Sequence, residues 1–193
     1  MKLILSSCDF GHPESAKFIY DHLPKPAEKC RILFFPNEKA TESDIKSGKF
    51  QARLSFLGFR TKNIYIANYF DPAPYFDIDI DVICISGGNT FGTMKRIRES
   101  GFDRAIVDYV QNGVLYIGGS AGAHIACADI SHVAKYDTDT FGLTDFSGLA
   151  LFRGILICHY TEERKADYLS LVAEGKYTVN SLKDGDSIIV REE

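Results

Sequence analysis

Serine, histidine and carboxylate side chains, spaced so that strand ends can bring them together, are the chemistry available in this chain. The serine is marked most clearly. Residues 114–118 are a short apolar run, and Gly118-Gly119-Ser120-Ala121-Gly122 follows it as a full G-x-S-x-G sequence. A buried strand entering small residues around a serine predicts a strand–turn–helix elbow that holds the hydroxyl at a sheet tip. The tight turn strains the serine backbone, and its neighbours must be small enough to let adjacent elements pass. The alternative is an ordinary βα turn.

A nucleophilic serine needs a base and a group that orients the base. Of the five histidines, His159 ends the apolar run Gly154-Ile155-Leu156-Ile157-Cys158, which places it at a strand tip, where α/β sites collect. It is the expected base. His124 falls one helical turn after Ser120 and reads as a helix-face or supporting residue. His12 and His22 sit in the first βα unit with no strand to deliver them, and His132 is in a loop. For the orienting acid, Asp137 and Asp139 lie in a loop between Ser120 and His159, and Glu162 lies just past the histidine. The same Asp137-Thr138-Asp139 stretch also reads as a solvated turn. It lacks further ligands for a cation, so no metal is expected.

Acyl transfer also needs two backbone donors where negative charge develops. Ala121, directly after the serine, supplies one by position. Residues 82–86 run into Gly87-Gly88-Asn89-Thr90-Phe91, a second glycine turn opening a helix, and Gly88 is the candidate for the other. Asn89 reads equally as the cap of that helix. Neither G-x-G-x-x-G nor G-x-x-x-x-G-K-[ST] occurs, so no nucleotide phosphate site and no cofactor are expected.

The elements that must position these residues follow from periodicity. Apolar runs at 2–8, 31–36, 63–67, 82–86 and 114–118 lack strict polar alternation, as in strands covered on both faces. Amphipathic stretches lie between them, near 13–23, 42–57, 90–99 and 101–112, and Thr41-Glu42-Ser43-Asp44 is a capping sequence for the second. This alternation predicts an α/β fold with a mostly parallel, doubly wound sheet flanked by helices. Residues 130–150 read as irregular. A charged helix over about 162–174 precedes an expected C-terminal β-hairpin, 177–182 and 187–191, with its turn at Lys183-Asp184-Gly185-Asp186.

With 193 residues the expectation is a single domain, residues 1–193. The 45% hydrophobic and 25% charged content suits a soluble globular protein, and a net charge of −4 gives no footprint for nucleic acid. No apolar run reaches the length of a membrane span, and Asp9 and His12 interrupt the N-terminal run before an export signal forms. Five cysteines, an odd number without C-x-x-C pairing, each lie in or beside an apolar segment. They read as buried thiols in a reducing cytoplasm.

Gly87-Gly88-Asn89-Thr90-Phe91, then Gly118-Gly119-Ser120-Ala121-Gly122-Ala123 one βα unit later, then His159-Tyr160, together resemble the peptidase E family of serine peptidases. The resemblance implies a fold like class I glutamine amidotransferases. It also implies Ser120 as nucleophile, His159 as base, Gly88 and Ala121 as oxyanion donors, and Asp137 as the acid, with Asp139 the alternative. Asn89 is carried over as a substrate contact. Members that cleave after an N-terminal aspartate carry a longer segment past the histidine, with an arginine for the substrate carboxylate. Here the chain enters its helix almost at once, and Arg164 is the candidate to stand in. The expected activity is hydrolysis of small peptides through an acyl-enzyme on Ser120, possible as a homodimer, without membrane partner. An esterase, or a binding protein of the same fold without turnover, are the alternatives.

Overall fold

The structure, a computed structural model, describes residues 1–191. In chain order its strands are β1 (Lys2–Ser6), β2 (Ile32–Phe35), β3 (Ile64–Ile66), β4 (Val82–Ile85), β5 (Leu115–Gly119), β6 (Ile155–Ile157), β7 (Val179–Ser181) and β8 (Ser187–Arg191). The helices are α1 (Pro13–His22), α2 (Glu42–Lys46), α3 (Lys49–Phe56), α4 (Thr90–Glu99), α5 (Phe102–Gln111), α6 (Ala121–Ile125) and α7 (Lys165–Glu174). Thr41 caps α2 through the capping box expected of it, and Asn89 caps α4 by accepting the Gly92 N–H.

Six strands form the main sheet in the order β3-β2-β4-β5-β1-β8, parallel except for β8, which runs antiparallel to β1. Residues alternate between two buried faces. Leu3, Leu5, Leu33, Phe35, Ile83, Ile85 and Tyr116 pack with apolar residues of α4, α5 and α6. Their neighbours Ile4, Ile32, Phe34, Val82, Cys84, Leu115 and Ile117 pack with Ile19 of α1, Ile45 of α2 and Leu54 of α3. Burial on both faces is why these runs lack a polar alternate. Cys30, Cys84, Cys127 and Cys158 are buried, Cys8 is partly exposed, and all five are free thiols. Among the described residues no helix is long and apolar enough to cross a membrane.

The C-terminal strands and their turn lie where expected, but β7 and β8 pair with other strands. β7 pairs in parallel with β6, and β8 pairs with β1. The edges that need covering explain the difference. Without β8 the outer side of β1 would lie open, and without β7 the short β6 would have no ladder partner. The turn at 183–186 therefore carries the chain from the small sheet to the large one.

Candidate active site

Strand register assembles the site. Ser6, at the end of β1, lies opposite Gly119 of β5 on one side and Ser187 of β8 on the other. The residues beyond these three are thus gathered at one edge of the molecule: Ser7 and Cys8, Ser120, and the turn 183–186. Two backbone bonds lock the junction, Ser120 N–H to Ser6 O at 2.9 Å and Ser7 N–H to Asp186 O at 3.1 Å.

Ser120 has φ 48° and ψ −106°, a conformation that L-residues avoid, and α6 begins at the next residue. Its neighbours are small because the space is taken. A Cβ at Gly122 would stand 2.2 Å from the Ile85 carbonyl oxygen, and one at Gly119 would stand 2.4 Å from the Asp9 Cβ. The turn has the strand–turn–helix geometry that the G-x-S-x-G sequence predicts.

Ser120 Oγ lies 2.9 Å from His159 Nε2, and His159 Nδ1 lies 2.6 Å from Asp184 Oδ1. A neutral ring satisfies both contacts as the Nδ1–H tautomer: Nδ1–H donates to the carboxylate, and Nε2 accepts the serine O–H. His159 has φ 53°, and Ser7 Oγ accepts its N–H at 2.9 Å while donating to Asp184 Oδ1 at 3.2 Å. The hydrogen bond from His159 holds the Asp184 carboxyl below its ordinary range, against the opposing effect of burial.

The carboxylates expected behind the histidine are elsewhere. Asp137 Oδ2 accepts the N–H of Thr90, the first residue of α4, at 2.8 Å. Asp139 accepts from the N–H groups of Phe141, Gly142 and Leu143, which shapes its own loop. Glu162 forms an exposed ion pair with Lys165. The group at His159 Nδ1 is Asp184, which the sequence presents only as one residue of a Lys-Asp-Gly-Asp turn. The signal that finds it is the pairing of β8 with β1, which sets that turn beside the tip of β1.

Other expected residues gather around this centre. Ala121 is the first residue of α6, so its N–H is one of those a helix leaves unpaired. Gly87 packs against Ser120, since a Cβ on it would lie 3.4 Å from the Ser120 Cβ. Gly88 follows with φ 155°, beside the buried Glu38, whose carboxylate accepts the Asn89 N–H at 3.0 Å. Both ends of the Asn89 amide are engaged: Oδ1 caps α4, and Nδ2 donates to Thr138 O. An open cleft of about 430 Å³ adjoins this turn, lined by Glu38, Gly88, Asn89, Tyr136, Asp137 and Phe141 among others. Arg164 donates to the carbonyl of Cys158, the residue before His159, at 2.5 Å, and its guanidinium lies 4.1 Å from the Tyr136 ring centroid.

Two buried groups support the centre from below. His124 is 4% exposed; Cys158 N–H donates to its Nε2, and its Nδ1 faces Thr90 Oγ1 at 3.2 Å. Burial, reinforced by His132, His159 and Arg164, pushes its pKa down to about 3, so the ring is neutral. Asp9, 7% exposed with φ 45°, accepts from Gly11 N–H and from the backbone of Gly87, tying β1 to the first glycine turn. Burial raises its pKa, opposed by the charge of Arg53. His12 caps α1, His22 bonds Phe18 O, and His132 bonds Leu156 O, so none of the three competes for Ser120.

Known proteins share this arrangement of elements. A protein of Listeria monocytogenes EGD-e, provisionally assigned as a peptidase E, superimposes with a TM-score of 0.75 at 22% identity, over 98% of this chain and 94% of that one. A peptidase from an acI-B1 actinobacterium gives 0.68 at 15% identity, over 98% and 83%. In sequence, peptidase E of Escherichia coli O6:K15:H31 is 36% identical over 144 residues, 72% of this chain and 61% of the relative. An uncharacterized peptidase of Listeria innocua is 29% identical over 123 residues, 58% of this chain and 56% of the relative. The chain thus spans about three fifths of the length of the peptidase E relatives it matches. The profile of peptidase family S51 matches residues 3–193, taking in both glycine turns, Ser120, His159 and the 183–186 turn, and the chain belongs to that family.

Proposed function

We propose that the chain is a serine peptidase that hydrolyses small peptides through an acyl-enzyme on Ser120. The observation that carries this reading is the unbroken line Ser120 Oγ, His159 Nε2, His159 Nδ1, Asp184 Oδ1, with contacts of 2.9 and 2.6 Å. Family membership and the peptidase E relatives support it.

In this reading His159 Nε2 takes the Ser120 proton as Oγ attacks the scissile carbonyl. Charge developing on the carbonyl oxygen is met by the backbone N–H groups of Ala121 and Gly88. Loss of one such donor costs about 10²–10³ in turnover in enzymes of this type. The imidazolium, stabilised by Asp184, then protonates the leaving amine, and water attacks the acyl-enzyme with His159 again as base. Asp184 replaces Asp137 and Asp139 as the orienting acid.

The cleft beside Gly88 suits the amino end of a short peptide. Glu38 and Asp137 place two carboxylates against the one cation of Lys39 in its lining, an excess that complements a free α-ammonium, and Asn89 forms part of its wall. Arg164 retains guanidinium donors beyond the one used on Cys158, so it is the group to select a substrate carboxylate. Five free thiols favour a reducing cytoplasm as its location. The test pairs wild type with Ser120→Ala on a dipeptide library that includes Asp-X members, beside p-nitrophenyl esters. Peptide cleavage abolished in the variant supports the reading. Turnover of esters without any peptide would make the chain an esterase, and turnover of neither would leave a binding protein.

A further inference from the structure

We propose that Cys8, His159 and Asp184 form a binding site for a zinc-type divalent cation, and that occupation of this site switches the nucleophile off. Among the described residues, ligand atoms of these three side chains lie within 4.8 Å of one another. Cys8 Sγ is 3.3 Å from Asp184 Oδ1, which is itself 2.6 Å from His159 Nδ1. A tetrahedral ion with metal–ligand bonds of about 2.0–2.3 Å holds its sulfur and oxygen ligands ~3.6 Å apart and its nitrogen and oxygen ligands ~3.4 Å apart. The sulfur–oxygen spacing is already close to that. The nitrogen–oxygen pair must open by somewhat under an ångström.

The side chains that must shift are open to solvent, and the bonds from Ser7 and His159 to Asp184 Oδ1 give way to the ion. The Asp184 side chain is 62% exposed on a surface turn and the His159 side chain 41% exposed, so an ion reaches the trio directly from solvent. A thiol, an imidazole and one carboxylate form a donor set that favours zinc-class ions over magnesium or calcium, which take oxygen ligands. Three protein ligands leave one position for water.

This inference rests on the catalytic reading of Ser120 and His159 for its consequence, though not for the site itself. A cation bonded at Nδ1 takes the position of the proton that now faces Asp184. A neutral imidazole carries one proton, which then resides on Nε2. Nε2 ceases to be an acceptor, and the Ser120 proton has nowhere to go. The proton balance is simple: the Cys8 thiol releases one proton on binding, and the imidazole keeps its own, moved from Nδ1 to Nε2. The ion also draws Asp184 off the ring. Cys8 is thus a thiol placed to make the catalytic pair sensitive to metal.

The experiment titrates zinc into the metal-free full chain against a chromophoric chelator, with cobalt(II) as a spectroscopic probe. The same samples are then followed by the rate at which a fluorophosphonate labels Ser120. Wild type is expected to bind one zinc per chain, to show a thiolate-to-cobalt charge-transfer band, and to lose about 100-fold or more of its labelling rate, the contribution of a general base. A chelator should restore it. Cys8→Ala and Cys8→Ser should lose the band and bind zinc at least about 100-fold more weakly, more than the loss of an outer-shell partner costs. Each should label at its own metal-free rate when zinc is added. Absence of stoichiometric binding by wild type, or equal binding by the Cys8 variants, overturns the site. Binding that leaves the labelling rate unchanged overturns the switch. If wild type fails to label in any condition, the catalytic reading falls, while the titration and the cobalt spectrum still decide the site.

Discussion

Asp184→Asn separates this structure from the triad that chain order alone suggests. The variant keeps the shape of the turn and removes the negative charge 2.6 Å from His159 Nδ1. It also offers an amide N–H to Nδ1, favouring the tautomer with the proton on Nε2, which cannot accept from Ser120. A carboxylate and an imidazolium about 4 Å apart attract by roughly 1 kcal/mol in water and about 4 kcal/mol at an effective dielectric of 20. With the Asp184 side chain 62% exposed, solvent screens the pair, and the lower half of that range applies. The charge alone is then worth between about 5-fold and 10²-fold in rate, at about 1.4 kcal/mol per tenfold. The tautomer effect adds to this, and the sum stays below the ~10⁴-fold loss seen when a fully buried triad aspartate is replaced. The assay is the second-order rate of Ser120 phosphonylation, which needs no knowledge of the peptide substrate. Asp137→Asn, whose carboxylate bonds Thr90 N–H, is expected to label within a few-fold of wild type and to raise KM for peptides. A large labelling loss in Asp137→Asn with Asp184→Asn close to wild type would refute the assignment.

The remaining expectations concern the support of the site. Because His124 titrates near 3 when folded and near 6.5 when unfolded, its neutral form stabilises the fold above about pH 6.5, and that stability is lost as pH falls toward 3. At pH 4.5 the loss is about 3 kcal/mol at ~1.4 kcal/mol per unit; His124→Gln should lack this component in urea unfolding at pH 7 and 4.5, and an unchanged acid loss would contradict it. Gly122→Ala places a Cβ 2.2 Å from the Ile85 carbonyl oxygen, a clash with backbone. It should lower stability by about 1–3 kcal/mol or more and suppress labelling; a variant that melts and labels like wild type would show the elbow to be looser than described. Arg164→Met should raise KM for Asp-X peptides more than for neutral ones, whereas an equal rise for both would remove Arg164 from specificity.

Much of this centre was legible in the sequence because it rests on local signals. Ser120 follows a buried strand and is surrounded by residues too small for anything but a tight turn. His159 ends another apolar run, and Asn89 sits where a helix cap belongs. Asp184 was not legible. Its Lys-Asp-Gly-Asp setting is that of any surface turn, and its role depends on β8 pairing with β1, at the other end of the chain. The same non-local pairing overturned the expected β7–β8 hairpin, since open strand edges chose different partners than the nearest ones. Asp137 and Asp139 had the right type and chain order, but backbone N–H groups claim them. Ser7 lay in a run that read only as a strand, and Asp9 read only as the residue that interrupts it.

The central claim is that Ser120 is a nucleophile activated by His159. The most direct measurement is mass spectrometry of the chain after fluorophosphonate treatment, with the adduct mapped by peptide sequencing and dipeptide cleavage followed in parallel. The expected result is a single adduct on Ser120, absent in Ser120→Ala and strongly slowed in His159→Ala, with cleavage lost in proportion to labelling. An unlabelled Ser120 in a chain that still cleaves peptides, or labelling that survives in His159→Ala at the wild-type rate, would contradict it.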